Sequence, residues 1–147
     1  MAFTSNVQYL WPPNFTEGSD TMGGTQRRIV VKATGVSSDA TDASDTLIVD
    51  RSDLLGPAGT VPSKLILEQV SWTMDGYDSI LLEMDEATDE EILRLSGHEG
   101  SLDFRAEGGI TPVSAFASAG DGDVFITTTG GAALSNYSII LTFRLKA

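Results

Sequence analysis

The only histidine of the chain, His98, is the first place to look for catalysis. Nearby in sequence are the residue types of a nucleophile and an orienting acid, namely Ser96, Ser101 and Asp103. The sequence has no G-x-S-x-G nucleophile elbow, however, and glycines flank the histidine closely, so the pattern is typical of an exposed loop. One histidine without any cysteine also cannot supply the ligands that zinc prefers. We therefore expect no catalytic histidine and no zinc site.

Acidic side chains form the densest set of candidate ligands and acid–base groups. Eight of them fall between Asp75 and Glu91, where a carboxylate pair could hydrolyse a glycoside or several oxygens could bind calcium. That segment contains no calcium-loop motif, and we favour a solvated acidic rim. Two further sets are typical of turns, with a weakly bound calcium ion as the alternative. These sets are Asp39, Asp42 and Asp45, and Asp121 with Asp123. The sequence thus predicts no enzyme, no cofactor and no metal.

Charge and hydropathy restrict the partners. Twenty-one acidic residues against nine basic residues give a net charge of −12 and a pI of about 4.2. A surface this acidic repels phosphate, so we expect no direct binding to nucleic acid. No run of 18 apolar residues is present, which predicts no membrane-spanning helix. The N-terminus also lacks the basic start and apolar stretch of a signal peptide.

The first 26 residues differ from the rest of the chain. They contain no basic residue, and the Pro12–Pro13 pair interrupts any helical or strand period. We interpret residues 1–26 as an extended arm and residues 27–147 as the folded domain. The arm could bind a partner or add a strand to a neighbouring sheet, or it could fold back over the domain's own core. The candidate partner-binding residues are Phe3, Tyr9, Leu10, Trp11 and Phe15.

Alternation of apolar and polar residues predicts that most of the domain is β-structure. The clearest segment is 137–146, and further strands are predicted over 27–34, 46–50, 64–74, 77–85 and 123–129. Within 64–74 the apolar parity switches, which predicts a bulge near Glu68 and Gln69.

Two local signals refine this pattern. The Asp75–Gly76 pair predicts a tight hairpin. A capping box from Thr88 to Glu91, closed by Gly97, predicts one short helix. The fold we expect is all-β, an antiparallel β-sandwich or jelly roll with an extended N-terminal arm and one short helix.

Several segments of the chain form a pattern shared with a known group of proteins. They are Ser71–Tyr77, Leu81–Asp85, Asp103–Arg105, Gly108–Gly109, Gly120–Val124, Tyr137–Lys146 and the opening Met1–Asn6. These segments resemble small structural proteins of tailed bacteriophages. Within that group the chain is similar to capsid decoration, or cement, proteins. The resemblance implies a virion protein on the outer surface of the capsid that binds the major capsid protein, often as a homotrimer. It assigns a role to no individual residue. A tail or neck subunit and a carbohydrate-binding β-sandwich are the alternatives.

Overall fold

The computed structural model describes residues 3–12, 15, 27–37, 42–56, 59–84, 90–110 and 123–146. These residues form nine strands and two short 3₁₀ turns. The strands are β1 (Phe3–Trp11), β2 (Arg28–Ser37), β3 (Thr46–Val49), β4 (Lys64–Asp75), β5 (Ser79–Met84), β6 (Glu90–Ser96), β7 (Glu99–Asp103), β8 (Val124–Thr129) and β9 (Asn136–Lys146). The turns are Arg51–Asp53 and Arg105–Glu107. In these ranges no helix is long and apolar enough to cross a membrane.

The strands form two antiparallel sheets with an apolar core between them. One sheet has the order β1-β2-β9-β4-β7, and the other has the order β3-β8-β5-β6. Side chains from both sheets are fully buried in one cluster. The all-β antiparallel sandwich predicted from the sequence is confirmed.

Strand β9 lies at the centre of the larger sheet, between β2 and β4. Its predicted alternation is confirmed, because every second side chain is buried in the core. These residues are Tyr137, Ile139, Leu141, Phe143 and Leu145. Opposite them in the register, β2 buries Ile29, Val31 and Ala33, as its sequence predicts.

The bulge predicted in β4 is also present. The register between β4 and β9 shifts between Leu67 and Gln69, so Glu68 is the extra residue. Leu67 on one side of the bulge and Val70 on the other are both buried. The extra residue therefore lets both halves of β4 face the core despite the parity switch.

The predicted hairpin at Asp75–Gly76 is wrong. Strand β4 pairs with β7 and β9, whereas β5 pairs with β6 and β8 in the other sheet. The turn therefore crosses the sandwich instead of joining neighbouring strands. Gly76 has φ +85°, and a side chain there would collide with Ser135 of another crossing. Met74 and Tyr77, on either side of the turn, are both buried.

The predicted helix is wrong as well, because Glu90–Ser96 forms β6. The first capping residues lie outside the described residues. Leu93 and Leu95 stand opposite Leu82 and Ile80 of β5, and on the core face Leu95 is buried and Leu93 is partly buried. A segment this short forms no stable helix alone, and tertiary pairing overrides the capping signal.

The described residues of the N-terminal segment are part of the sandwich. Strand β1 pairs with β2 in a register from Phe3–Ser37 to Trp11–Val30. Tyr9 and Phe15 are buried, and their rings meet edge-on with centroids 4.8 Å apart. The larger sheet therefore includes Phe3–Trp11 as an edge strand.

We expect Phe15→Ala to destabilise the whole domain. Removing a buried aromatic ring leaves a cavity that costs about 3 kcal/mol of the free energy of unfolding. Leu134→Ala is the control, because this side chain is 73% exposed and its loss should cost no more than about 0.5 kcal/mol. Urea denaturation followed by tryptophan fluorescence measures both changes. Equal stability of the two variants would contradict the placement of Phe15 in the core.

Candidate partner-binding surface

The structure separates the five predicted anchor residues. Tyr9 and Phe15 are buried and fill the sandwich's own core, which was the alternative interpretation of the arm. Leu10 is 41% exposed and Trp11 is 50% exposed. The side chain of Phe3 lies outside the described residues. Only Leu10 and Trp11 are thus seen in a position to contact a partner.

A bulge in β1 explains why Tyr9 is buried whereas Leu10 and Trp11 are exposed. The register with β2 shifts between Tyr9 and Trp11, so Leu10 is the extra residue. After the shift, Trp11 stands opposite Val30 on the outer face of the sheet, whereas Tyr9 stands opposite the buried Val31. The bulge therefore directs the indole out of the core.

Strand β1 is also an edge of the larger sheet, since β2 is its only neighbour among the described strands. Its nine residues carry no charge. The other edges are different: β7 and β6 carry acidic side chains, and β3 has only four residues. Charge and short length protect an edge from pairing with another chain. The β1 edge has neither protection.

Between Trp11 and the Thr4 end of the sheet, the outer surface of β1, β2 and β9 is almost uncharged. We call this surface the uncharged face, and Lys32 is its one charged residue between Trp11 and the Thr4 end of the sheet. Its other outward residues, by the strand register, are Thr4, Asn6 and Gln8 of β1, Val30, Thr34 and Val36 of β2, and Asn136, Ser138, Ile140 and Thr142 of β9. In a chain of net charge −12 this concentration of hydroxyl, amide and apolar groups is suited to contact with protein.

Beyond β9 the same outer surface forms a shallow trough of about 550 Å³ over β4 and β7. Hydroxyl groups and Ile140 line most of it. Trp72 is the only aromatic residue of the lining. Its indole packs over Gly100 and donates a hydrogen bond of 3.2 Å from Nε1 to the carbonyl of Ser96 in the other sheet. The hydrogen bond of Trp72 therefore connects the two sheets.

At the other end of this outer surface lies a set of basic residues that we call the basic corner. Its members are Arg28, Lys64, Arg105, Arg144 and Lys146. Glu68, the bulge residue of β4, is buried beneath two of them, with Oε1 2.7 Å from Nε of Arg28 and Oε2 3.5 Å from Nε of Arg144. The hydrogen bond and the negative charge of Glu68 raise the pKa of Arg28. One carboxylate thus connects β2, β9 and β4.

A second ion pair lies at the exposed end of β7. Nη2 of Arg105 is 2.7 Å from Oδ2 of Asp103, and its backbone N–H also donates to Oδ1. These hydrogen bonds lower the pKa of Asp103, and they raise the pKa of Arg105. Asp103 therefore forms an ion pair with Arg105. None of the contacts described for Asp103 joins it to His98 as an orienting acid would be.

The other candidate chemical groups serve mainly in turns. His98 is exposed, and its backbone carbonyl accepts a hydrogen bond from Met74. Asp42 accepts from Thr128 and from the backbone of Gly131. Asp123 accepts from the backbone of Arg51. Within the described ranges no group of three or more carboxylate or histidine side chains is placed to bind a metal ion. Asp39 and Asp121 lie outside those ranges.

Sequence reasoning did not find the basic corner or the uncharged face. The alternation in β9 does place Thr142, Arg144 and Lys146 outward, and that signal was visible. The neighbours of β9 were not visible, because Arg28 and Glu68 are distant in sequence and meet only through the strand register.

Comparisons of the chain with protein-family models, with curated proteins and with solved structures give no match. The functional assignment therefore rests on the residues and the geometry described above.

We expect Glu68→Ala to lower the free energy of unfolding by about 2 kcal/mol. The substitution leaves Arg28 and Arg144 facing one another without the buried carboxylate, and their partial exposure limits the cost. Asp103→Ala breaks an ion pair that is open to solvent, so it is the control and should leave the denaturation midpoint nearly unchanged. A larger effect of the control than of Glu68→Ala in urea denaturation would contradict the importance of the buried carboxylate.

Proposed function

We propose that the protein is a non-enzymatic virion structural subunit, namely a head decoration protein. It binds the outer surface of the capsid through the major capsid protein and stabilises the shell, and a homotrimer is the assembly that we favour. The observation that carries this proposal is the uncharged β1 edge beside the uncharged face. The resemblance of several segments to phage decoration proteins supports it.

The geometry suits attachment to a protein shell by strand addition. An extended segment of the partner can pair with the β1 edge through main-chain hydrogen bonds, and side chains such as Trp11 can then fill pockets in the partner. A protein that binds only the assembled shell stabilises that shell by mass action. Because decoration is repeated over the whole shell, each contact needs only modest affinity.

A tail or neck subunit would use the same kind of surface, so the copy number separates this alternative. Ring-shaped components have about six or twelve copies, whereas decoration scales with the shell. Quantitative mass spectrometry of purified virions measures the ratio to the major capsid protein. A ratio that scales with the shell is expected, and absence from the virion would contradict both structural roles.

A carbohydrate-binding module is the candidate from another class, and the trough over β4 and β7 is where it would bind. Sugar rings commonly stack on an exposed aromatic face. The only aromatic residue lining the trough is Trp72, whose indole is occupied between the sheets. The trough therefore supports this candidate less well than the β1 edge supports protein binding.

We expect Asn6→Lys on β1 to weaken binding to undecorated capsids at least tenfold, because a lysine on an edge strand opposes pairing with another chain. Ser101→Lys is the matched control, since it adds the same charge to the opposite edge of the same sheet, at an exposed position that also faces a hydroxyl residue. Co-sedimentation of each variant with capsids measures the affinity. Normal binding by Asn6→Lys would overturn the proposal, and lost binding by Ser101→Lys beside it would move the contact to the trough.

A further inference from the structure

The charges of the described residues are distributed unequally between the two sheets. The basic corner contains five of the nine basic residues of the chain, and the two acidic residues that form ion pairs with them are Glu68 and Asp103. These seven residues together have a net charge of +3. The remaining four basic and nineteen acidic residues give the rest of the chain −15.

The basic corner places like charges directly opposite each other. In the strand register Lys64 faces Lys146, and Arg28 faces Arg144. Like charges at opposed positions destabilise a sheet. Glu68 compensates for the arginine pair, but among the described residues no acidic side chain forms an ion pair with either lysine. The lysine pair is therefore without an acidic partner among the described residues.

The smaller sheet shows the reverse arrangement on its own outer surface. Glu83 faces Glu91 in the register between β5 and β6. The hydroxyl of Thr127 lies 3.1 Å from Oε1 of Glu83 and 3.4 Å from Oδ1 of Asp45, so it holds these two carboxylates close together. We call Asp45, Glu83 and Glu91 the acidic face. Arg94 is the basic residue beside it, 3.3 Å from Glu91.

We propose that the basic corner of one molecule binds the acidic face of another copy of this chain. The two surfaces lie on different sheets and point to opposite sides of the sandwich, so each molecule presents one half of the contact on each side. Such a contact is heterologous: it produces a ring or an open row of subunits and not a twofold dimer. In this contact Lys64 and Lys146 of one molecule face the carboxylates of the next.

The net charge of −12 is compatible with this contact. At about 0.1 M salt, charges more than about 10 Å apart are largely screened, so the overall repulsion between molecules is weak while charges in contact still attract. A nucleic acid would not fit the corner equally well, because the corner is small and the rest of the chain, with a net charge of −15, repels a long polyanion. This contact does not use the β1 edge. A monomeric chain would therefore contradict the contact and the favoured homotrimer, but it would leave attachment to the shell through β1 unaffected.

Sedimentation velocity of the full chain over a concentration series tests the contact. We expect reversible association at about 0.1 M salt and its loss at about 1 M salt. Two charge-reversed variants, Lys64→Glu with Lys146→Glu and Glu83→Lys with Glu91→Lys, should each associate at least tenfold more weakly than the wild type. A mixture of the two variants should associate again, because the intact acidic face of the first can bind the intact basic corner of the second.

The mixture distinguishes charge pairing from damage to the fold. If a reversed variant does not fold by circular dichroism, the corresponding glutamine variants replace it, with the same expected order of affinities. A wild-type chain that stays monomeric at both salt concentrations would overturn the proposal. Association that persists in both variants, or a mixture that does not associate, would overturn it as well.

Discussion

The extra residue at Glu68 is the constraint on which the larger sheet depends. The apolar parity of β4 switches along the strand, and without an insertion one half of the strand would expose its apolar side chains. The bulge removes this conflict, and it also directs Glu68 outward, where its carboxylate meets Arg28 and Arg144. The segment after β7 then covers the site, because Ile110 bonds to Leu67 through both backbone groups and the carbonyl of Gly108 accepts from Arg144.

Period-two patterns could be predicted from the sequence because they are local and are read directly as the two faces of a strand. Strands β2 and β9 and the β4 bulge follow from this rule. The hairpin and the helix failed for a different reason. An Asp-Gly pair and a capping box describe only the local backbone, and neither contains information about which sheet the next strand joins. At one end of the sandwich the chain crosses between sheets near Gly76, His98 and Ser135, and these crossings depend on packing between distant segments.

The candidate anchor residues also show that local sequence patterns do not reveal tertiary pairing. Hydrophobicity marks Tyr9, Leu10, Trp11 and Phe15 equally, yet two of them complete the core and two are exposed. The difference comes from the bulge in β1, and the short sequence around Leu10 contains no parity switch from which it could be recognised. Only the register with β2 therefore shows which of these side chains lie in the core and which face outward.

The charged side chains of the described strands are unevenly distributed over the sandwich. Acidic residues are absent from β1, β2 and β9, and four basic residues occur there: Arg28, Lys32, Arg144 and Lys146. The outer surface of the smaller sheet instead brings Asp45, Glu83 and Glu91 together. A subunit with a basic side and an acidic side can be oriented against a neighbour by charge.

The uncharged β1 edge does not contribute to this orientation, since pairing of main-chain groups depends on shape and register. Under the two proposals, orientation between copies would use both sheets, whereas attachment to a shell would use only the β1 edge and the uncharged face of the larger sheet.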